Sequence, residues 1–186
     1  GGGPPLPPGA PVPARMVLID PAPASRRMRR SFESELARRQ GSAEVTQLRE
    51  ELAASGLREK DPEAYRKRAF EISVAGYFAR PEMARDLTPF RVMGRVQDSV
   101  WESLGDYDLL PTLARVRCPT LIAHGREDPI PLPASEALVR ALPDARLVVL
   151  DGSGHVPYVE APDELFRAVR GFLRETASHI SLLTRA

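Results

Sequence analysis

The 186-residue chain carries 26 basic and 25 acidic side chains, and its 42% hydrophobic content is ordinary for a globular domain with one core. A net charge of +1 gives no electrostatic reason to expect nucleic acid or another strongly charged partner. No apolar run approaches the ~18 residues that cross a bilayer, so we expect no membrane partner. The single Cys118 cannot form an internal disulfide, which favours a reducing, cytoplasmic compartment.

The N-terminal part of the chain is predicted to be a leader followed by one core strand. Residues 1–13, GGGPPLPPGAPVP, are almost entirely Gly and Pro and predict a flexible or polyproline-like leader. Because position 1 is Gly and no signal-peptide pattern follows, we expect a processed product or a piece of a longer protein. Residues 14–24 contain the run RMVLID, which stops at two prolines and predicts a buried strand.

Residues 25–113 are predicted to be a helical cap laid across the core, because apolar residues recur there at helical spacing. Three residues are predicted to cap its first helices: Ser31, Ser42 and Asp61. The Ser31 helix is expected to run to Gln40. A later helix is expected over roughly residues 90–104, with four residues turned inward: Val92, Val96, Val100 and Trp101.

Residues 114–177 are predicted to form the C-terminal core, in which short apolar runs alternate with helical patterns. The predicted strands cover 120–124 and 146–150, and the predicted helices cover 134–142 and 162–176. The last helix places one apolar stripe against the sheet, formed by Leu165, Phe166, Val169, Phe172 and Leu173. Residues 178–186 are expected to be a fraying tail.

Polar side chains follow both of these strands. LIAHGRED ends in Asp128, and RLVVLDGSGH ends in His155. The carboxyl ends of parallel strands are where α/β proteins place their chemistry. An acid and an imidazole there are candidates for the carboxylate and the general base of a catalytic triad.

Other interpretations of these residues stay open. Asp128 could be only a turn residue, and His155 only a loop histidine. His124 and Asp128 could be imagined as metal ligands, but two ligands without a third do not make a site. Cys118 is expected to pack in the interior, and Ser153 is expected to be a turn-forming residue.

The stretch from Val116 to Leu173 resembles the C-terminal part of α/β-hydrolase-fold enzymes. The acid context G-x-x-D matches Gly125 to Asp128, and the histidine context G-H matches Gly154 and His155. A further family pattern, E-x-P-x-x-[FL], matches Glu160, Pro162 and Leu165. VLIDPAP is similar to the strand that leads into the cap, and the helices that follow are similar to caps of proline-iminopeptidase-like and epoxide-hydrolase-like members.

The resemblance implies an α/β fold: the C-terminal part of an α/β-hydrolase fold, about three parallel strands, with an inserted all-helical cap. It implies hydrolysis of an ester, amide or short-peptide bond in a small molecule, with His155 as general base and acid and Asp128 as its orienting carboxylate. No cofactor or metal is implied. Glu160 and Asp163 could recognise an amine, but Glu160 is expected to form a salt bridge and Asp163 to interact favourably with the helix dipole in the first turn of the last helix.

The chain departs from the family at the nucleophile. Such enzymes carry it on a G-x-S-x-G elbow, and no serine in this sequence has Gly two positions before and two after. We therefore expect a fragment that is inactive alone and exposes a sheet edge. Two alternatives remain: half of a split enzyme, with the missing N-terminal half as partner, and a non-catalytic binding module. The sequence does not distinguish a serine nucleophile from an aspartate nucleophile in the family.

Overall fold

The structure, a computed structural model, describes residues 13–90 and 94–175. The predicted leader, except for its last residue, and the predicted tail therefore lie outside the described residues. Every helix in the described ranges falls short of the length and apolarity that a bilayer-spanning helix needs.

The core is a sheet of three parallel strands in the order β1-β2-β3. The strands are β1 (Met16–Ile19), β2 (Thr120–Gly125) and β3 (Ala145–Leu150). Thr120 aligns with Met16 on one side and with Ala145 on the other. Every residue of β2 is buried, because this central strand has a neighbouring strand at each edge and a helix packed on each face. The predicted α/β class with three parallel strands is confirmed.

Helices α6 (Leu132–Ala141) and α8 (Pro162–Arg174) cover the two faces of the sheet. Successive residues of a strand point to opposite faces: Ile122 packs with Leu138 of α6, and Ala123 packs with Leu165 of α8. The predicted stripe on α8 is partly wrong, since Phe166 and Leu173 are 42% and 53% exposed. Each follows a buried residue, and one step along a helix turns the side chain ~100° away.

The segment between β1 and β2 is helical. It contains α1 (Arg26–Gln40), α2 (Ala43–Ala54), α3 (Leu57–Lys60), α4 (Pro62–Val74) and α5 (Gly94–Leu104), with 3₁₀ turns at Ala75–Tyr77, Pro81–Asp86 and Leu110–Arg115. Ser42 and Asp61 cap α2 and α4, as predicted. The prediction that Ser31 opens α1 is wrong, because Ser25 caps it and accepts a hydrogen bond from the Met28 N–H.

Helix α5 turns its valines to the surface, contrary to the prediction. Val96 and Val100 are 56% and 53% exposed, and Val92 lies outside the described residues. Trp101, the fourth residue predicted to turn inward, is half-buried and connects α5 to the rest of the helical segment. It stacks on Tyr107, and the Arg29 guanidinium lies 4.4 Å from the centre of the Trp101 ring system.

The two ends of the helical segment lie side by side next to the sheet. Ser25 and Asp108 form an antiparallel bridge, and the N–H groups of Arg26 and Leu109 donate to the carbonyls of Tyr107 and Ala24. The segment therefore leaves the sheet and returns to it at one place. Its 3₁₀ turn at Ala75–Tyr77 reaches the loop that follows β3.

Candidate active site

The turn after β2 holds Asp128 by contacts with its immediate neighbours. The Asp128 N–H donates to the Gly125 carbonyl, and Oδ1 accepts a 2.7 Å hydrogen bond from the Ile130 N–H. The side chain is fully buried. A buried carboxylate that accepts a backbone N–H is fixed in one orientation, so its second oxygen points in one defined direction.

That second oxygen meets His155. Nδ1 of His155 lies 2.9 Å from Oδ2 of Asp128, and because a carboxylate can only accept, Nδ1 carries the proton. The ring is 30% exposed, and Nε2 forms no hydrogen bond with any residue that the structure describes. The two side chains that the sequence selected at successive strand ends thus form a carboxylate–imidazole pair.

The helical segment holds the histidine loop. The His155 N–H donates to the Tyr77 carbonyl over 2.8 Å, and the Tyr77 ring lies 5.5 Å from the imidazole. Val156 belongs to the same apolar cluster as Val74 and Phe78. Burial raises the pKa of Tyr77, and the negative charge of Asp128 raises it further. Tyr77 is therefore neutral beside the pair.

Glu160, at the end of α7 (Pro157–Glu160), joins the same two segments. One carboxylate oxygen accepts the Ala79 N–H at 2.8 Å and the other accepts the Gly154 N–H at 2.7 Å. Burial raises the pKa of Glu160, while the backbone N–H donors act in the opposite direction. The predicted salt bridge is wrong within the described residues, because Glu160 binds backbone amides instead of a cationic side chain.

Two glycines let the loops approach each other. A Cβ atom added to Gly125 would come closer than 3.0 Å to the backbone of Ser153 and Gly154. One added to Gly154 would come equally close to the backbone of Tyr77 and its neighbours. The glycines of the G-x-x-D and G-H patterns are therefore required because backbone packs directly on backbone at both positions.

Asp20 at the end of β1 also reaches the site, and sequence reasoning did not select it. Its Oδ1 accepts the Gly125 N–H at 2.8 Å, and the residue is 5% exposed. Burial, as the largest cause, and the nearby Asp128 carboxylate together raise the pKa of Asp20 to about 9, while the Gly125 N–H acts in the opposite direction. A polar residue at a strand end was the signal that selected Asp128 and His155, and Asp20 has that signal too.

His124 is buried beneath the pair as a neutral imidazole. Its Nε2 donates to the Ile130 carbonyl at 3.0 Å, and its Nδ1 accepts from the Ser135 hydroxyl at 2.9 Å. Burial lowers its pKa. One donor atom each of Asp20, His124 and Asp128 lies within 4.8 Å of the others, so a third ligand does exist. Both nitrogens of His124 are already engaged, however, which leaves none for a metal.

The remaining candidates have structural positions. Cys118 is buried, as expected. Ser153 is fully buried and its hydroxyl donates to the Gly154 carbonyl, so it serves the loop. Asp163 lies in the first turn of α8, as predicted.

A model of the alpha/beta hydrolase family matches residues 1–168 of this chain. Among curated proteins, the chain is 42% identical over 64 residues to the pimeloyl-acyl-carrier-protein methyl ester esterase of Aromatoleum aromaticum, an alignment that covers 34% of this chain and 26% of the esterase. It is 27% identical over 95 residues to the proline iminopeptidase of Heyndrickxia coagulans, covering 50% of this chain and 33% of the peptidase.

Among solved structures, the proline iminopeptidase of Mycobacterium smegmatis superposes with a TM-score of 0.51 at 22% identity. The superposition covers 86% of this chain and 56% of that protein. At this identity the likeness establishes the fold alone. The chain spans a little over half of the solved structure and smaller shares of the two curated relatives.

Proposed function

We propose a hydrolytic function, from the premise that the chain belongs to the alpha/beta hydrolase family. In this proposal His155 is the general base and acid, Asp128 is its orienting carboxylate, and the substrate is a small molecule with an ester, amide or short-peptide bond. The observation that carries the proposal is the 2.9 Å hydrogen bond between Nδ1 of His155 and Oδ2 of Asp128.

This hydrogen bond determines how the imidazole can act. With the proton on Nδ1, the lone pair of Nε2 is available to take a proton from an attacking hydroxyl or water. The imidazolium that forms is stabilised by the buried Asp128 carboxylate, since charges interact more strongly away from water. The proton then passes to the leaving group. Exposure of 30% leaves the ring accessible to a reactant.

The nucleophile is not assigned within these 186 residues, none of whose serines has glycine two positions before and after. We therefore assign the activity to the complete gene product, or to this chain with a partner that supplies the nucleophile. Serine and aspartate nucleophiles both work with an acid and a histidine, so the pair alone fits either chemistry. The esterase and peptidase among the relatives support acyl transfer as the reaction class.

The test is intact-mass analysis of the complete gene product after treatment with a fluorophosphonate probe. We expect one adduct on the unchanged protein and none on His155→Ala, because the serine loses its base. The matched control is Tyr158→Ala, an exposed residue three positions along, which should label like the unchanged protein. Equal labelling of a folded His155→Ala variant would contradict the proposed role of the histidine.

A second arm covers an aspartate nucleophile, which gives no fluorophosphonate adduct. With an epoxide or alkyl-halide substrate, the carboxylate displaces the epoxide oxygen or the halide and forms an alkyl ester. A single turnover in ¹⁸O-labelled water then places one ¹⁸O atom in the nucleophile carboxylate, because water attacks the acyl carbon of that ester and releases the alcohol. In His155→Ala that ester should accumulate, since its hydrolysis needs the base. A complete gene product that is inert in both arms would favour the non-catalytic binding module.

A further inference from the structure

The Asp20 carboxyl group is incompletely satisfied in the structure. Its Oδ2 is buried and finds no hydrogen-bond donor among the described residues, although Oδ1 accepts the Gly125 N–H. The backbone of Asp20 has a φ of 40°, in the left-handed region that is uncommon for residues other than glycine. Strained backbone and an orphaned buried oxygen both carry a cost in free energy, and strained residues cluster at functional sites.

Asp128 is the carboxylate next to Asp20, since one oxygen of each lies within 4.8 Å of the other, and both oxygens of Asp128 already accept hydrogen bonds. Oδ1 of Asp128 accepts from the Ile130 N–H and Oδ2 accepts from His155. Two ionised carboxylates can only repel each other, whereas a carboxylic acid can donate to a carboxylate. One proton between the two groups removes the repulsion and gives the orphaned oxygen its hydrogen bond.

We propose that Asp20 is a protonated carboxylic acid at neutral pH, and that its Oδ2–H donates to Asp128 and holds the Asp128 carboxylate in position for His155. The inference rests on the proposed function for the role of Asp128. Asp20 is thus a positioning residue, which acts on the histidine through the acid. It extends the site to a third strand, because Asp20 follows β1 as Asp128 follows β2 and His155 follows β3.

The proton belongs on Asp20 because of what surrounds each carboxyl group. Asp128 contacts His155, which becomes a cation during the reaction, so its negative charge is useful. Asp20 faces Asp128, neutral His124 and, farther away, the carboxylate of Glu160, none of which favours a second negative charge. Burial and the charge of Asp128 accordingly hold the pKa of Asp20 at about 9. Of the two adjacent aspartates, the one that contacts the imidazole therefore carries the negative charge.

The most direct variant test is Asp20→Asn in the complete gene product. Asparagine reproduces the protonated acid: its carbonyl can accept the Gly125 N–H, its amide can donate to Asp128, and it tolerates positive φ. We expect kcat/KM within about threefold of the unchanged protein, which is under 1 kcal/mol, with the acidic limb of the pH–rate profile unmoved. Asp20→Ala keeps neither hydrogen bond and should lose about 10²-fold in rate, since misplacing a catalytic group costs that much.

The opposite results would overturn the proposal. If Asp20 is ionised in the native protein, Asp20→Asn removes a negative charge close to His155, and the acidic limb moves to lower pH. If Asp20 is merely structural, a folded Asp20→Ala variant keeps both its rate and the NMR resonance of the His155 Nδ1–H proton.

A second measurement does not depend on activity and so separates this proposal from the hydrolytic one. With ¹³C-carboxyl-labelled aspartate, the Asp20 resonance in the unchanged protein should stay at the protonated position from about pH 5 to about pH 8, where ordinary aspartates, which titrate near ~3.9, are ionised. A titration at the ordinary position would overturn the proposal. So would tight binding of added Mn²⁺ that broadens the Asp20 and Asp128 signals, since a cation would then take the place of the proton.

Discussion

The two loops that carry the candidate pair are held in different ways. Asp128 is fixed by its own turn, through a backbone hydrogen bond from a residue two positions away. His155 is fixed by the helical segment, through the Tyr77 carbonyl and through Glu160, which binds an amide 81 positions away. Asp128 is fully buried, whereas His155 remains 30% exposed. The acid side chain is thus held within its own turn, whereas the loop of the base is held by the helical segment between β1 and β2.

This difference has a physical consequence for each residue. A side chain held by its own turn depends mainly on the strand before it and, for Asp128, on the neighbouring Asp20 carboxyl group that we propose to donate to it. A side chain held by distant backbone depends on packing between two separate parts of the chain, and such contacts are lost first on local opening. Substitutions at the acid should therefore change chemistry with little structural effect, while substitutions around the histidine should change both.

The largest expected effect is that of Asp128→Asn, which alters the buried acid of the pair. The amide keeps the shape but loses the charge, and it can favour the wrong imidazole tautomer, so we expect about a 10⁴-fold fall in kcat in the complete gene product. The measurement is the steady-state hydrolysis rate, with thermal unfolding to confirm an intact fold. Asp163→Asn on the exposed first turn of α8 is the control. Parallel losses in both variants would remove Asp128 from the proposed machinery.

Gly154→Ala should disturb His155, whose loop is held by the helical segment. The added Cβ would overlap the backbone of Tyr77 and its neighbours, so the histidine loop must separate from the helical segment. We expect a destabilisation of about 1–3 kcal/mol from overpacking and a rate loss of about 10²-fold from displacement of His155. Urea unfolding and steady-state kinetics measure the two effects.

The matched control is Gly171→Ala, since a Cβ at Gly171, inside α8, meets no atom within 4 Å. Its expected effect is a small stabilisation of about 0.5–1 kcal/mol, because alanine favours a helix interior. If Gly154→Ala behaved like this control, the close approach of the loop to Tyr77 would not exist in solution.

A smaller effect is expected for Glu160→Gln, which weakens the same contact without a steric clash. The glutamine carbonyl can still accept one backbone N–H, but its amide group cannot accept the other, so we expect about 1–3 kcal/mol of destabilisation. The exposed Glu164→Gln on α8 is the control and should change stability by less than about 0.5 kcal/mol. Equal unfolding midpoints for the two variants would show that Glu160 does not join the segments.

The local features of this comparison could be predicted from the sequence. The strands and most helix starts follow from apolar runs and capping residues, and Asp128 and His155 follow from polar side chains at strand ends. The chain was also expected to resemble α/β hydrolases, and the family match confirms that expectation.

The long-range features could not be predicted in this way. No periodicity indicates that Glu160 accepts hydrogen bonds from Ala79 and Gly154, since its neighbours in space are far away in sequence. The predicted orientation of α5 is wrong for its valines, which are exposed, whereas Trp101 stacks on Tyr107. The proximity of Asp20 to Asp128 also has no local signal, since it arises from the pairing of β1 with β2 across the whole helical segment.

Asp20→Asn has the smallest expected effect on rate but a distinctive effect on stability. With a pKa of about 9 in the folded protein and ~3.9 when unfolded, Asp20 keeps its proton in the folded state and loses it in the unfolded state over that range. The folded state then binds more protons, so this contribution to stability is complete below about pH 4 and is lost as the pH rises towards 9.

Asparagine has no such dependence. The gain in unfolding free energy of Asp20→Asn over the unchanged protein should therefore grow with pH, by at most about 1.4 kcal/mol per pH unit. Other groups near the site, including Glu160 and His155, are common to both proteins and cancel in the difference. Urea unfolding of both proteins across this range, with Asp163→Asn as a control that shows a flat difference, measures the slope. A difference that stays constant or shrinks with rising pH would mean that Asp20 is ionised in the folded protein, and both buried members of the site would then carry charge.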